Sequence, residues 1–186
     1  MKKAVILHNT DGSPEAGWFP WAKEQLEVAG YEVWVPLLPG NHTPDARKYS
    51  KFLLDSEWDF TNNIVIGHSS GAVHVLNMLM DDRFPHLDLC IAISAWHTNQ
   101  EPFTSPEQFK DLFPPGGYDF NKMHSKANEL VFIHGAKDPY CSLKQAQELA
   151  QRANSEIVVV PNGKHFGRLI TELPALSDVL RSRGKI

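Results

Sequence analysis

Short apolar segments recur along the chain, each bounded by polar or turn-forming residues. Most are rich in β-branched side chains and apolar at consecutive positions, so both faces of each segment are expected to be buried. This pattern is typical of strands in a parallel sheet that is covered by helices. The predicted strands are residues 4–7, 32–35, 64–67, 87–94, 130–134 and 156–160.

The stretches between these strands show the apolar spacing of amphipathic helices. Thr43 followed by Pro44 predicts an N-cap and a first helical residue, and Gly184 suits a C-terminal stop. The predicted helices are residues 18–29, 44–57, 70–80, 143–153 and 174–183. Alternating strands and helices predict an α/β fold, a mostly parallel sheet of about six strands with helices on both faces.

The connection at residues 97–128 interrupts this alternation. Connections longer than about 15 residues are uncommon and are usually functional or disordered. Its aromatic side chains argue against disorder, so we interpret the connection as a small cap over one edge of the sheet, with a small apolar acyl pocket. These aromatic residues are Phe103, Phe109, Phe113, Tyr118 and Phe120.

Length and charge limit the classes of protein that the chain could represent. Its 186 residues predict a single domain over residues 1–186. Lys and Arg total 18 and Asp and Glu total 22, which gives a net charge of −4. That balance argues against nucleic acid and against an anionic membrane surface as partners.

The cysteines and the apolar run lengths bear on the compartment. Cys90 lies in an apolar segment and Cys141 is far from it in sequence, with no Cys-x-x-Cys pattern, so reduced thiols are expected. The apolar run after Lys2 and Lys3 is too short for a signal peptide, and no run approaches the roughly 20 residues of a membrane span. We therefore expect a cytoplasmic protein.

One motif carries candidate chemistry. Gly67-His68-Ser69-Ser70-Gly71 joins a predicted buried strand to a predicted helix, and its Gly-x-Ser-x-Gly spacing is the nucleophile-elbow pattern. The sharp turn exposes a serine hydroxyl, and the glycines leave room for the neighbouring strand and helix. The spacing favours Ser69 over Ser70 as the nucleophile, with the Ser70 N–H as the first oxyanion donor.

An activated serine needs a base and an acid that orients it, in the chain order Ser, Asp, His for this architecture. Asp138 follows the strand predicted at 130–134, and His165 follows the strand predicted at 156–160. The alternative interpretations are that Asp138 only forms a turn or caps a helix, and that His165 is an ordinary surface histidine. His97 and His124 precede Asp138 and so have the wrong order.

The second oxyanion donor is expected in the loop after the first strand. The Thr10 N–H is the candidate, and Asn9 would hold the shape of the loop beside the substrate. Trp18 is expected to pack its helix on the sheet, with a place in the wall of the substrate pocket as the alternative. Phe113 is a further candidate for that wall.

With these residues in view, the chain resembles the small serine hydrolases typified by retinoblastoma-binding protein 9 and the bacterial YdeN-like proteins, which are minimal α/β-hydrolases. The resemblance runs from Ala4 to about Leu180. Beyond the elbow it rests on Trp18-Phe19-Pro20-Trp21, Ile93-Ser94-Ala95, Asp138-Pro139 and Gly163-Lys164-His165-Phe166.

This resemblance implies an esterase-like activity, with Ser69 as nucleophile, Asp138 as orienting acid and His165 as base. We expect a small-molecule acyl substrate and no cofactor. His8-Asn9 stands where relatives often have His-Gly; Asn tolerates the left-handed conformation better than other non-glycine residues.

Several other functions compete with an ester hydrolase. The chain has no His-Glu-x-x-His pattern and no phosphate-binding glycine loop, so a metal hydrolase and a nucleotide-binding protein are disfavoured and no metal is expected. A catalytically idle scaffold that binds a partner remains open, although the intact Ser, Asp and His set speaks against it. Thioester and amide hydrolysis would use the same residues.

Overall fold

The computed structural model describes residues 2–98 and 107–186. Strands and helices alternate through most of this range. In chain order they are β1 Lys2–Leu7, α1 Phe19–Val28, β2 Tyr31–Trp34, α2 Ala46–Leu54, β3 Ile64–His68, α3 Ser70–Met80, β4 Leu87–Ile93, α4 Phe120–Ser125, β5 Ala127–Gly135, α5 Leu143–Arg152, β6 Glu156–Val160 and α6 Pro174–Ser182.

The strands form one six-stranded sheet in the order β2-β1-β3-β4-β5-β6. Every neighbouring pair runs parallel. The predicted α/β class, the parallel sheet and the six strand positions are therefore confirmed. Parallel strands need crossover connections, and the helices between successive strands supply most of them.

Two apolar layers lie on the two faces of the sheet. Side chains alternate along a strand, so Val5 and Leu7 of β1 face one layer while Ala4 and Ile6 face the other. The first layer is packed mainly by α2, α3 and α5, and the second by α1 and α6. Helix α3 is buried over most of its length, which fixes the residue that precedes it against the centre of the sheet.

The predicted start of α2 is wrong. The N-cap is Asp45, whose carboxylate accepts hydrogen bonds from the backbone N–H groups of Arg47 and Lys48. A carboxylate satisfies these first-turn donors well, so the helix begins two residues later than the Thr43-Pro44 pair predicts.

At the other end of the chain, Gly184 has φ +62 and follows the last turn of α6, in agreement with a C-terminal stop.

The connection predicted as a cap is described only in part. Residues 99–106, which include Phe103, lie outside the described residues. From 107 onward the chain makes turns and then the short helix α4, which the sequence pattern did not predict. Phe109 packs on Trp96, whereas Phe120 packs against the α2–α3–α5 layer.

The carboxyl ends of the strands meet at one edge of the sheet. The loops after β1, β3, β5 and β6 all leave from this edge. Strand β2 is added on one side of β1 and strand β3 on the other, so the order of strands reverses between β1 and β3. Ligands of open α/β sheets bind at such a reversal. Among the described residues, no helix is long and apolar enough to cross a membrane.

Candidate active site

Ser69 occupies the sharp turn between β3 and α3. Its backbone has φ 55 and ψ −119, a conformation that L-residues rarely adopt and that is typical of a nucleophile elbow. A Cβ at Gly67 would run into the Gly71 carbonyl, and one at Gly71 would run into the carbonyl of Leu7. The two glycines therefore allow β1, β3 and α3 to approach closely enough to form this turn.

His165 links Ser69 to Asp138. Its Nε2 lies 3.0 Å from the Ser69 Oγ, and its Nδ1 lies 2.8 Å from the Asp138 Oδ2. With the proton on Nδ1 donated to the carboxylate, Nε2 is free to accept the hydroxyl proton of the serine. The structure thus joins, through two hydrogen bonds, the three residues that the sequence predicts as nucleophile, base and acid.

Asp138 is held as a carboxylate. Burial alone would raise its pKa, but the hydrogen bond and charge of His165, together with the backbone N–H groups of Cys141 and Tyr140, outweigh burial and lower the pKa. Its Oδ1 accepts from those two N–H groups at 3.0 and 2.9 Å, which leaves Oδ2 for His165. A second histidine, His134, donates from Nε2 to the Cys141 carbonyl at 3.0 Å and steadies this turn.

The loop after β1 contacts the elbow directly. The Thr10 hydroxyl donates to the Ser70 Oγ at 3.0 Å, so the two residues predicted as oxyanion donors lie side by side. Asn9 donates its side-chain amide to the Thr10 carbonyl, in keeping with its predicted role in the shape of the loop. These contacts place the loop beside the N-terminus of α3, where partial positive charge favours an oxyanion.

His8 is a further residue that shapes this loop, and sequence reasoning did not assign it a role. It is buried; its Nδ1–H donates to the Asn9 carbonyl at 2.8 Å, and its Nε2 accepts the Leu38 N–H at 2.9 Å. Burial lowers its pKa, although the hydrogen bond to Asn9 opposes that shift. A neutral imidazole with one fixed tautomer therefore anchors the start of the loop.

A cavity of about 340 Å³ opens above Ser69. Asn9 lines it as predicted, but Trp18 and Phe113 do not. Trp18 is fully buried in the α1–α6 layer, and Phe113 packs behind Trp96. The aromatic walls are instead Trp96, Phe109 and Tyr140. Which tryptophan reaches the cavity depends on how the loop after β4 packs, and the sequence pattern does not encode that packing.

Two buried donors hold the backbone of the His165 loop. The His68 Nε2–H donates to the His165 carbonyl at 2.6 Å, and the Trp18 Nε1–H donates to the Phe166 carbonyl at 3.2 Å. The two rings lie edge to face, 5.8 Å apart. Burial lowers the pKa of His68 to about 3, so its ring is neutral. The His68 ring therefore packs in the core and also donates this hydrogen bond.

One group of three side chains in the described residues could offer ligands to a metal ion. Asp138, Cys141 and His165 have ligand atoms within 4.8 Å of one another. Two of these residues already share the hydrogen bond described above. The expectation that the protein needs no metal and no cofactor stays a prediction.

Comparisons with known proteins identify the family of this chain. The sequence profile of the family "Serine hydrolase" matches residues 4–175. The rat (Rattus norvegicus) protein "Serine hydrolase RBBP9" is 24% identical over 183 residues, covering 97% of this chain and 94% of the relative.

Solved structures show the same fold. The ydeN gene product from B. subtilis superposes with a TM-score of 0.88 at 24% identity, with both chains covered in full. Est1E from Butyrivibrio proteoclasticus superposes with a TM-score of 0.69 at 13% identity, covering 98% of this chain and 88% of the other. Together with the profile match, these results confirm the family resemblance: the chain belongs to the serine hydrolase family and has the α/β-hydrolase fold.

Proposed function

We propose that this serine hydrolase cleaves small carboxylic esters through an acyl-enzyme formed on Ser69. The observation that carries the proposal is the unbroken set of hydrogen bonds from Ser69 Oγ through the His165 ring to Asp138 Oδ2. A serine hydroxyl is a weak nucleophile at neutral pH, and such an arrangement is the general means of activating it.

The reaction begins when the Ser69 Oγ attacks the ester carbonyl carbon and His165 Nε2 takes the hydroxyl proton. The carbonyl oxygen becomes an oxyanion that accepts hydrogen bonds from the Thr10 and Ser70 N–H groups. Asp138 holds the tautomer of His165 and stabilises its positive charge. When the intermediate collapses, the bond to the alcohol oxygen breaks, and His165 gives that oxygen its proton.

Deacylation repeats these steps with water. A water molecule gives a proton to His165 Nε2 and attacks the acyl carbon, and a second oxyanion forms at the same N–H groups. The bond to Ser69 Oγ then breaks, and His165 returns a proton to this oxygen. The carboxylic acid leaves, and the enzyme is restored without any redox change.

The direct test is labelling of the pure protein with a fluorophosphonate, followed by mass spectrometry to locate the adduct. We expect an adduct on Ser69 that is absent in Ser69→Ala, and turnover of p-nitrophenyl acetate that is lost in the same variant. A folded protein that gives neither an adduct nor turnover would contradict the proposal and favour an idle scaffold that binds a partner. Thioester and amide substrates assayed in parallel test the specificity for esters.

We also propose that the chain works in the cytoplasm. Cys90 is a buried thiol outside any disulfide, as is usual for proteins of a reducing compartment. Fractionation of cells with an antibody against the chain tests this location, and recovery in a secreted or membrane fraction would contradict it.

A further inference from the structure

A second, larger hollow lies beside the cavity above Ser69. It is an open groove of about 930 Å³ between the turn after β5 and the segment that leads from His165 into α6. Tyr140 and His165 line both the groove and the smaller cavity, so the two spaces adjoin at these two side chains. The Tyr140 ring stands edge to face with that ring, with centroids 5.1 Å apart.

The walls of this groove are unusually apolar for an exposed surface. Five large apolar side chains are exposed in the described part of the chain, and three of them line the groove: Tyr140 at 52%, Leu169 at 89% and Ile170 at 42%. Lys164, Arg168 and Glu172 also line it and are exposed. Apolar side chains gathered next to a reaction centre, with charged groups among them, are typical of a binding site.

The chemistry of the proposed reaction decides which part of a substrate reaches the groove. His165 Nε2 must protonate the alcohol oxygen, so that oxygen lies within about 3 Å of the ring during acylation. The carbonyl oxygen meanwhile faces Thr10 and Ser70, and the acyl group stays in the smaller cavity against Trp96 and Phe109. The remainder of the alcohol begins beside His165, where the groove opens.

We infer that the groove past Tyr140 binds the alcohol portion of the substrate, and that this portion is an apolar chain. The enzyme therefore selects esters that combine a small acyl group with a hydrophobic alcohol. This inference rests on the proposed function, since it assigns a site for one product of that reaction. It differs from the sequence-based expectation, which placed the apolar specificity pocket on the acyl side, in the 97–128 connection.

The test compares acetates of ethanol, butanol, hexanol and octanol at concentrations below their solubility limits in water. These alcohols differ little in acidity, so differences in kcat/KM report binding of the chain. Because burial of one CH2 group is favourable, we expect a gain of about two- to fourfold per added CH2 until the groove is filled. A parallel series of methyl esters, from acetate to octanoate, measures the acyl side.

The variant that removes the apolar wall is Leu169→Ser combined with Ile170→Ser. The matched control is Val28→Ser combined with Leu37→Ser; Val28 is 83% and Leu37 60% exposed, and neither lines the groove. We expect the double variant to lose most of the gain with alcohol length, to below about twofold from ethyl to octyl acetate. The control should keep the wild-type dependence on alcohol length.

Several results would overturn the inference. The double variant could retain the full dependence on alcohol length, or it could lose the dependence on acyl length instead. Alternatively, sedimentation could show that the wild type is a dimer and that the double variant is a monomer, with no change in the ester series. The groove would then be a contact between two copies of the chain. Labelling of Ser69 with no dependence on alcohol length would refute the inference alone, whereas absence of both labelling and turnover would refute the proposed function too.

Discussion

The three residues of the proposed catalytic set contribute unequally to the reaction. The proton passes between Ser69 and His165, whereas Asp138 only orients His165 and stabilises its charge. We expect Ser69→Ala and His165→Ala each to lower kcat by about 10⁵- to 10⁶-fold, and Asp138→Asn by about 10⁴-fold. The measurement is the turnover of p-nitrophenyl acetate, corrected for spontaneous hydrolysis. Ser70→Ala is the matched control: it keeps the backbone N–H and should stay within about tenfold of wild type. Near wild-type turnover in Ser69→Ala would contradict the mechanism.

His68 acts on His165 through the backbone rather than through the substrate. In His68→Phe the packing against Trp18 is kept, but the donor to the His165 carbonyl is lost. We expect kcat to fall by about tenfold with little change in KM, and the free energy of unfolding to fall by about 1–3 kcal/mol. His68→Gln, which keeps an N–H donor, should recover part of both losses. A change confined to KM would contradict this positioning role.

Sequence reasoning succeeds at the residue scale where the local pattern carries the chemistry. The glycine spacing marks Ser69, and Asp138 and His165 each follow a strand that the apolar pattern identifies. It fails for residues whose role depends on distant packing. Only after the sheet is assembled do His68 and Trp18 donate to a distant loop and does His8 accept the Leu38 N–H. No local signal distinguishes such residues from ordinary core residues.

At the element scale, the junction of β3 and α3 depends on close contact with β1. Gly71→Ala places a methyl group against the Leu7 carbonyl, and backbone atoms cannot move aside. We expect a loss of more than about 2 kcal/mol in the free energy of unfolding and loss of Ser69 labelling. Gly116→Ala is the matched control, since nothing lies within 4 Å of the added Cβ. Urea titrations measure the free energy of unfolding of the two variants. Equal values would contradict this packing argument.

The element boundaries show what periodicity predicts and what it does not. The β6 and α3 bounds agree with the predicted ones, because both elements are continuous runs between clear turn signals. Helix α4 has only 6 residues, too few for an apolar period to be recognised. Its N-cap, Asp119, accepts from the Lys122 N–H, and that side-chain bond fixes its start.

For the molecule as a whole, buried histidines predict sensitivity to acid. His68 and His74 are both fully buried, and burial lowers the pKa of each to about 3. The unfolded chain binds protons at these residues near pH 6.5 and the folded chain does not, so stability falls as pH decreases below about 6.5. From pH 7 to pH 5 the two residues should remove about 4 kcal/mol from the free energy of unfolding.

The measurement is urea unfolding at pH 7, 6 and 5. In His74→Leu one of these titrating groups is gone, so the loss of stability between pH 7 and pH 5 should be smaller than in the wild type by about 2 kcal/mol. Comparing slopes avoids the effect of the substitution on absolute stability. Equal slopes in the two proteins would show that His74 takes up its proton while the chain is still folded.

The whole-molecule arrangement of cavities is the part that the sequence predicts least. The predicted pocket lies in the connection at 97–128, and Phe109 does line the cavity above Ser69. The apolar side chains of the larger groove come from two segments, Tyr140 from the turn after β5 and Leu169 and Ile170 from the segment after β6, and these segments share no periodic pattern. Their proximity follows from β5 and β6 being neighbours in the sheet, a pairing that local patterns do not specify.

The hydrogen bond between Ser69 and His165 joins residues that are 96 positions apart in the chain. The serine is carried by β3 and its base follows β6, and the strands between them, β4 and β5, must pair before the two can meet. During translation the elbow is therefore synthesised long before His165, and until His165 is in place the Ser69 hydroxyl is no more reactive than that of any other serine. Reaction with a fluorophosphonate accordingly reports assembly of the sheet from β3 to β6, so the rate at which a refolding chain becomes labelled measures its slowest long-range pairing step.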